Sequence, residues 1–148
     1  MSMQTYRNWR LETDNNQVLW LYFDKENANV NTISRAVIEE FNQIVDSVKT
    51  GNYKALILAS GKANGFIAGA DISQFTQFKD IDEATNLLMM GDDVLAKFES
   101  LSIPTVAMID GFCLGGGFEI ALACHYRVAE ESNKTRIGFP EVMLGIIP

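Results

Sequence analysis

Thr105-Val106-Ala107-Met108-Ile109-Asp110-Gly111-Phe112-Cys113-Leu114-Gly115-Gly116-Gly117-Phe118-Glu119-Ile120-Ala121-Leu122-Ala123 is the stretch on which the fold turns. Its first five residues form a buried strand, a turn follows, and Gly115 to Cys124 reads as a helix opened by glycine. Three successive glycines leave the backbone bare. Their N–H groups can approach a ligand oxygen closely, and a helix dipole starting there adds positive potential at the same point. The same triplet also suits tight packing of a helix on a sheet. Neither common nucleotide loop fits. The dinucleotide pattern G-x-G-x-x-G requires glycine where Ile120 stands, and the phosphate loop requires Lys and Ser or Thr where Gly117 and Phe118 stand.

Upstream, Lys54 to Ser60 carries the apolar run Ala-Leu-Ile-Leu-Ala of a strand buried on both faces, and the glycine-rich loop Gly61 to Asp71 follows it. A helix is expected from Asp80 to Phe98, closed by Pro104. Nearer the start, strands from Asn8 to Glu12 and Gln17 to Phe23 flank the turn residues Asp14-Asn15-Asn16, which predicts a hairpin. Val37, Ile38, Phe41, Ile44, Val45 and Val48 then recur at helical spacing. Downstream, Tyr126 to Ala129 and Thr135 to Gly138 read as short strands. A succession of strand, strand and helix predicts an α/β architecture with helices on one side of sheet layers.

The composition fits one globular domain, or part of one: 148 residues, 47% hydrophobic and 21% charged. A formal charge of −7 without clustered Lys or Arg argues against a nucleic-acid partner. Cys113 and Cys124 lack the spacing and neighbours of a zinc site or disulfide framework and read as reduced core thiols. No signal peptide opens the sequence and no apolar run reaches membrane-spanning length, so a cytoplasmic address is the default expectation. Gly145-Ile146-Ile147-Pro148 has neither a capping signal nor a polar tail, and Pro148 reads as a cut in a longer protein.

Two further segments carry chemistry. Gly65-Phe66-Ile67-Ala68-Gly69-Ala70-Asp71-Ile72 is a second small-residue loop directly beyond a strand. One backbone N–H from each loop would make a two-donor site for negative charge on a thioester carbonyl. Asp71 alone suits a turn equally well. Glu141 follows Pro140 in an apolar segment, where a carboxylate tends toward a raised pKa and can exchange protons near neutral pH; surface exposure is the plainer reading. His125, the single histidine, follows the helix and is expected to interact with its last carbonyls. Met89, Met90 and Met108 read as core filling, or as lining for an acyl tunnel.

Three of these motifs, in order, resemble the crotonase, or enoyl-CoA hydratase/isomerase, superfamily. Phe66 to Ile72 is similar to its first oxyanion loop, Asp110 to Glu119 to its second, and Gly138-Phe139-Pro140-Glu141 with Leu144-Gly145 to its catalytic-acid loop. The resemblance implies a crotonase-like α/β superhelix of repeated β-β-α units, here a partial N-terminal domain over residues 1–148 with its C-terminal remainder absent. It places the carbonyl-binding N–H groups on Ala70 and Gly116 and the catalytic carboxylates on Glu119 and Glu141. It also lays coenzyme A along Ala68, Gly69, Ala70, Asp71 and Ile72, with Gly115 and Gly116 completing the substrate site.

Both carboxylates being present, the resemblance implies hydration of a 2-enoyl-CoA in fatty-acid β-oxidation. Δ3-Δ2 isomerisation and non-catalytic CoA binding are the alternatives. Val30-Asn31-Thr32, Ala123-Cys124-His125-Tyr126-Arg127 and Pro140-Glu141-Val142 resemble the multifunctional α-subunit branch, in which a 3-hydroxyacyl-CoA dehydrogenase follows the hydratase. In that setting hydration needs no cofactor beyond the CoA of the substrate and no metal, and NAD belongs to the absent dehydrogenase. The implied partners are an acyl-CoA thioester and either further copies of the chain or a thiolase β subunit.

Overall fold

A computed structural model describes residues 5–145 and 147, with the backbone alone for Phe75, Thr76 and Leu144. Pro148, and with it the expected cut, lies outside the described residues. Strands β1 (Trp9–Thr13) and β2 (Val18–Phe23) form the expected antiparallel hairpin, pairing Trp9 with Phe23 and Thr13 with Leu19. Asp14 shapes its turn by accepting the N–H groups of Asn16 and Val18 on Oδ1 at 2.8 and 3.0 Å. β2 continues in parallel to β3 (Ala55–Ser60), then β4 (Thr105–Ile109) and β6 (Tyr126–Ala129), giving the order β1-β2-β3-β4-β6. Burial alternates along β4, where Met108 is exposed, whereas in β3 the adjacent Leu58 and Ala59 are both buried and Ala55, Ile57 and Ser60 are half-buried. Both faces of β3 are thus covered as expected, one of them less completely.

Helix α1 (Arg35–Thr50) is capped by Ser34, whose hydroxyl accepts the Val37 N–H. It lays Val37, Phe41, Ile44, Val45 and Val48 onto the sheet, each contributing roughly 2 kcal/mol relative to exposure. Trp9 stacks between Phe23 and Phe41 at 4.4 and 5.0 Å and donates its indole N–H to the Val37 carbonyl. Helix α2 (Ile81–Glu99), capped by Asp80, buries only Val94 and Phe98, and its first half leaves Ile81 and Leu88 exposed. Met89 is 59% and Met108 43% exposed, so neither fills the core. Apolar character marked these side chains, but it does not identify which face has a partner.

A second layer, lacking long apolar runs, is where the sequence signal was weakest. β5 (Phe112–Leu114), absent from the sequence-based expectation, pairs in parallel with β7 (Arg136–Gly138). Single parallel bridges extend this pairing from Cys113 to Ile67 and join Ala70 to Ile33. The belt of main-chain hydrogen bonds therefore touches segments 31–33, 67–71, 112–114 and 136–138 in turn. Each successive unit adds one strand to the large sheet and one extended segment to this belt, which is the superhelical repeat the resemblance implied.

Asn31, wholly buried, locks the start of the belt: Nδ2 donates to the Phe23 and Phe66 carbonyls and the Ser60 hydroxyl, and Oδ1 accepts the Lys25 N–H. Asn31→Ala strands those groups without water and is expected to cost about 3 kcal/mol in urea unfolding. A loss below about 1 kcal/mol would show that the network is dispensable.

Candidate active site

Helix α3 (Gly116–Ala123) begins at Gly115, whose φ of 52° and ψ of −128° suit glycine and few other residues. Its first turn closes on the Gly115 carbonyl, which accepts the N–H groups of Phe118 and Glu119 at 2.8 and 3.0 Å. Gly115 itself donates to the Gly138 carbonyl at 3.0 Å, tying the turn to the belt. Gly117 supplies a close approach: a Cβ there would lie 2.5 to 2.8 Å from Ile67 atoms. Packing and an exposed N-terminus are therefore both served by the triplet, at different glycines. Gly116, the first helical residue, has no acceptor for its N–H among the described residues.

The loop before it runs beside segment 31–33. Ala68 donates to the Asn31 carbonyl, Ile33 to that of Gly69 and Asp71 to that of Ile33, all at 2.8 to 2.9 Å. Alternation along an extended chain turns the Ala70 N–H the other way, and it has no acceptor among the described residues. Asp71 caps the 3₁₀ helix Ile72–Gln77 through Ser73 and also accepts from the Lys25 ammonium at 2.7 Å. The turn reading of Asp71 is thus correct, and an ion pair accompanies it. The Lys25 hydrogen bond, followed by that from Ser73, holds this carboxyl below the usual carboxylate range.

Ala68, Gly69, Ala70, Asp71, Ile72, Gly115, Gly116, Glu119 and Glu141 all line one cavity of about 480 Å³ between the two loops, α1 and α2. Every residue singled out from the sequence as part of the site borders it. Glu119 projects from the first turn of α3, while Glu141 sits in the 3₁₀ helix Pro140–Leu144, steadied by the packing of Phe139 against Phe118 at 5.0 Å. Glu141 Oε2 is buried and has no hydrogen-bond partner among the described residues. Burial, then the charge of Glu141 and then that of Asp92 push the Glu119 carboxyl above its ordinary value. Two carboxylates with different surroundings, beside two unused N–H groups, form a site suited to moving protons next to a carbonyl whose oxygen is being made negative.

Asp92 and Lys25 were missed in the sequence. Asp92 sits on a helix whose inward face its pattern left ambiguous, and Lys25 precedes its partner Asp71 by 46 residues, a pairing no local pattern signals. His125 departs from expectation: its Nδ1 accepts the Thr105 N–H at 3.1 Å, and the helix carbonyls are taken by Arg127, which donates to Ala121, Leu122 and Cys124. Cys113 and Cys124 are buried free thiols, pushed up to about 12 by burial. Among the described residues no group of three or more His, Cys, Asp or Glu could hold a metal ion, and no helix is long and apolar enough to cross a membrane.

The architecture is that of the crotonase fold: an enoyl-CoA hydratase from Bacillus anthracis superposes with a TM-score of 0.86 at 29% identity, over 95% of this chain and 54% of that one. The enoyl-CoA hydratase/isomerase family matches residues 13–148, and the chain belongs to that family. It is 42% identical to the fatty acid oxidation complex subunit alpha of Aliivibrio fischeri over 137 residues, 91% of this chain and 20% of that protein. It is 40% identical to the corresponding subunit of Shewanella frigidimarina over 149 residues, 100% of this chain and 21% of the relative. The chain thus spans about a fifth of the length of these curated relatives.

Proposed function

We propose that this chain forms the hydratase site of a fatty-acid β-oxidation enzyme, adding water across the 2,3-double bond of a trans-2-enoyl-CoA to give the 3-hydroxyacyl-CoA. The observation that carries the reading is the convergence of Glu119 and Glu141 on a cavity also lined by Ala70 and Gly116, whose N–H groups have no acceptor among the described residues. In this reading those two N–H groups hold the thioester oxygen as negative charge builds on it. Glu119 helps activate a water held between the carboxylates. The water oxygen with one hydrogen bonds to C3 as the π bond opens, and the other hydrogen reaches C2 by way of Glu141. The reaction needs no cofactor beyond the CoA already on the substrate. The likeness to fatty acid oxidation complex α subunits supports a place in a larger multifunctional protein, with a dehydrogenase that would use NAD, and with a thiolase subunit or further copies of this chain as partners.

Glu119→Gln in the full protein tests this. Loss of the enoyl absorbance of crotonyl-CoA is expected to slow by about 100-fold or more, and retained hydration would overturn the assignment of Glu119. Isomerisation of a 3-enoyl-CoA persisting in the variant while the parent never hydrates would replace the reading with an isomerase. The same variant has a pH signature. A carboxyl whose pKa is raised on folding binds protons more tightly in the native state, so its burial opposes folding increasingly as pH rises through the ordinary glutamate range to the raised value. Glu119→Gln is therefore expected to be more stable than the parent at pH 7, with the gain disappearing in acid.

A further inference from the structure

We propose that Lys25 is the counter-charge of the Ala70 loop: its ammonium, fixed against Asp71, cancels the carboxylate next to the Ala70 N–H and leaves that donor able to hold a developing anion. This rests on the oxyanion role given to Ala70 under the hydratase reading.

The cavity is lined by four carboxylates, Asp71, Asp92, Glu119 and Glu141, and among the described residues no Lys or Arg lines it. Such a lining opposes negative charge on a substrate oxygen. Asp71 is the member of the four that directly follows a proposed donor in sequence. Its carboxylate is not free to swing away, because Oδ1 accepts the Ser73 N–H and hydroxyl at 3.2 and 2.6 Å while its own N–H is bound to the Ile33 carbonyl.

Lys25, which does not line the cavity, reaches this carboxylate. Its Nζ donates to Asp71 Oδ2 and to Thr32 Oγ1, both at 2.7 Å, and its backbone N–H is held by the buried Asn31. Base and tip of the lysine are thus both fixed. The side chains of Lys25 and Asp71 are 15% and 25% exposed, so solvent screens the pair less than a surface pair. Lys25 is a positioning residue, acting on the substrate through the charge of Asp71.

The test uses the full protein and acetoacetyl-CoA, a 3-ketoacyl thioester whose enolate has its own near-ultraviolet band. The fraction bound as enolate is followed against pH, alongside turnover of crotonyl-CoA. Lys25→Met is expected to move enolisation up by about 1 pH unit and to lower kcat about tenfold with little change in KM. The double variant Lys25→Met/Asp71→Asn removes both charges and is expected to recover most of each loss. Asp71→Asn alone keeps an acceptor for Ser73 but leaves the Lys25 charge uncancelled, and is expected to move enolisation down in pH.

Parent-like enolisation in Lys25→Met overturns the proposal, as does a double variant no better than Lys25→Met, which would assign the lysine to loop shape alone. If Lys25→Met does not fold, Asp71→Asn decides: enolisation that does not move down in pH overturns the counter-charge role. A parent that never hydrates crotonyl-CoA, with the enolate shift still present in Lys25→Met, removes the hydratase reading and supports the role of Lys25.

Discussion

Glu141→Gln is expected to slow hydration of crotonyl-CoA by about a thousandfold in the full protein while leaving the far-ultraviolet circular dichroism unchanged. The amide has nearly the size of the carboxylate, and the 3₁₀ helix that carries it is fixed by Pro140 at its first position and by the Phe139–Phe118 contact, so shape survives. Proton transfer does not. In the proposed mechanism Glu141, whose Oε2 is buried and unpartnered among the described residues, hands a proton to C2, and an amide cannot take it back from water. Stopped-flow turnover within tenfold of the parent would remove Glu141 from the chemistry.

Gly115→Ala is expected to lose about 100-fold in turnover and about 2 kcal/mol in stability, for two separable reasons. The backbone at Gly115 occupies a conformation that a Cβ strains, and the added methyl would collide with the Glu141 carboxylate. Strain alone predicts a loss of stability with kcat intact; displacement of Glu141 adds the loss of kcat. Urea unfolding and crotonyl-CoA kinetics on the same preparation distinguish them, and an unchanged kcat would show that Glu141 yields without cost to the chemistry.

The elements with long apolar patterns were legible. α1 buries five of the six side chains whose spacing announced it, and β1 and β2 meet across the turn marked by Asp14. The two small-residue loops and Glu141 stood out in the sequence and border one cavity, but their proposed roles came from the ordered family resemblance, since taken singly the glycines also suit packing and the carboxylate suits the surface. β5 was not legible, since three residues beside a turn give no period to read. The direction of α2 was obscured for a related reason: Leu88 and Met89 are as apolar as Val94 and Phe98, yet only the latter two meet the core. Pairings such as Lys25 with Asp71 depend on the folded path between distant segments. They become visible only once 31–33 and 67–71 lie side by side.

That lateral belt has a consequence for how such a site changes over evolutionary time. The candidate oxygen-binding groups are amides of the main chain, held by bonds between main-chain atoms, and they depend little on which apolar side chains stand around them. In the proposed mechanism chemistry enters through few side chains, chiefly Glu119 and Glu141, carried on separate helical turns. On that reading the scaffold can be retuned toward a different reaction by exchanging one acid, while the proposed main-chain apparatus for polarising a carbonyl is inherited intact.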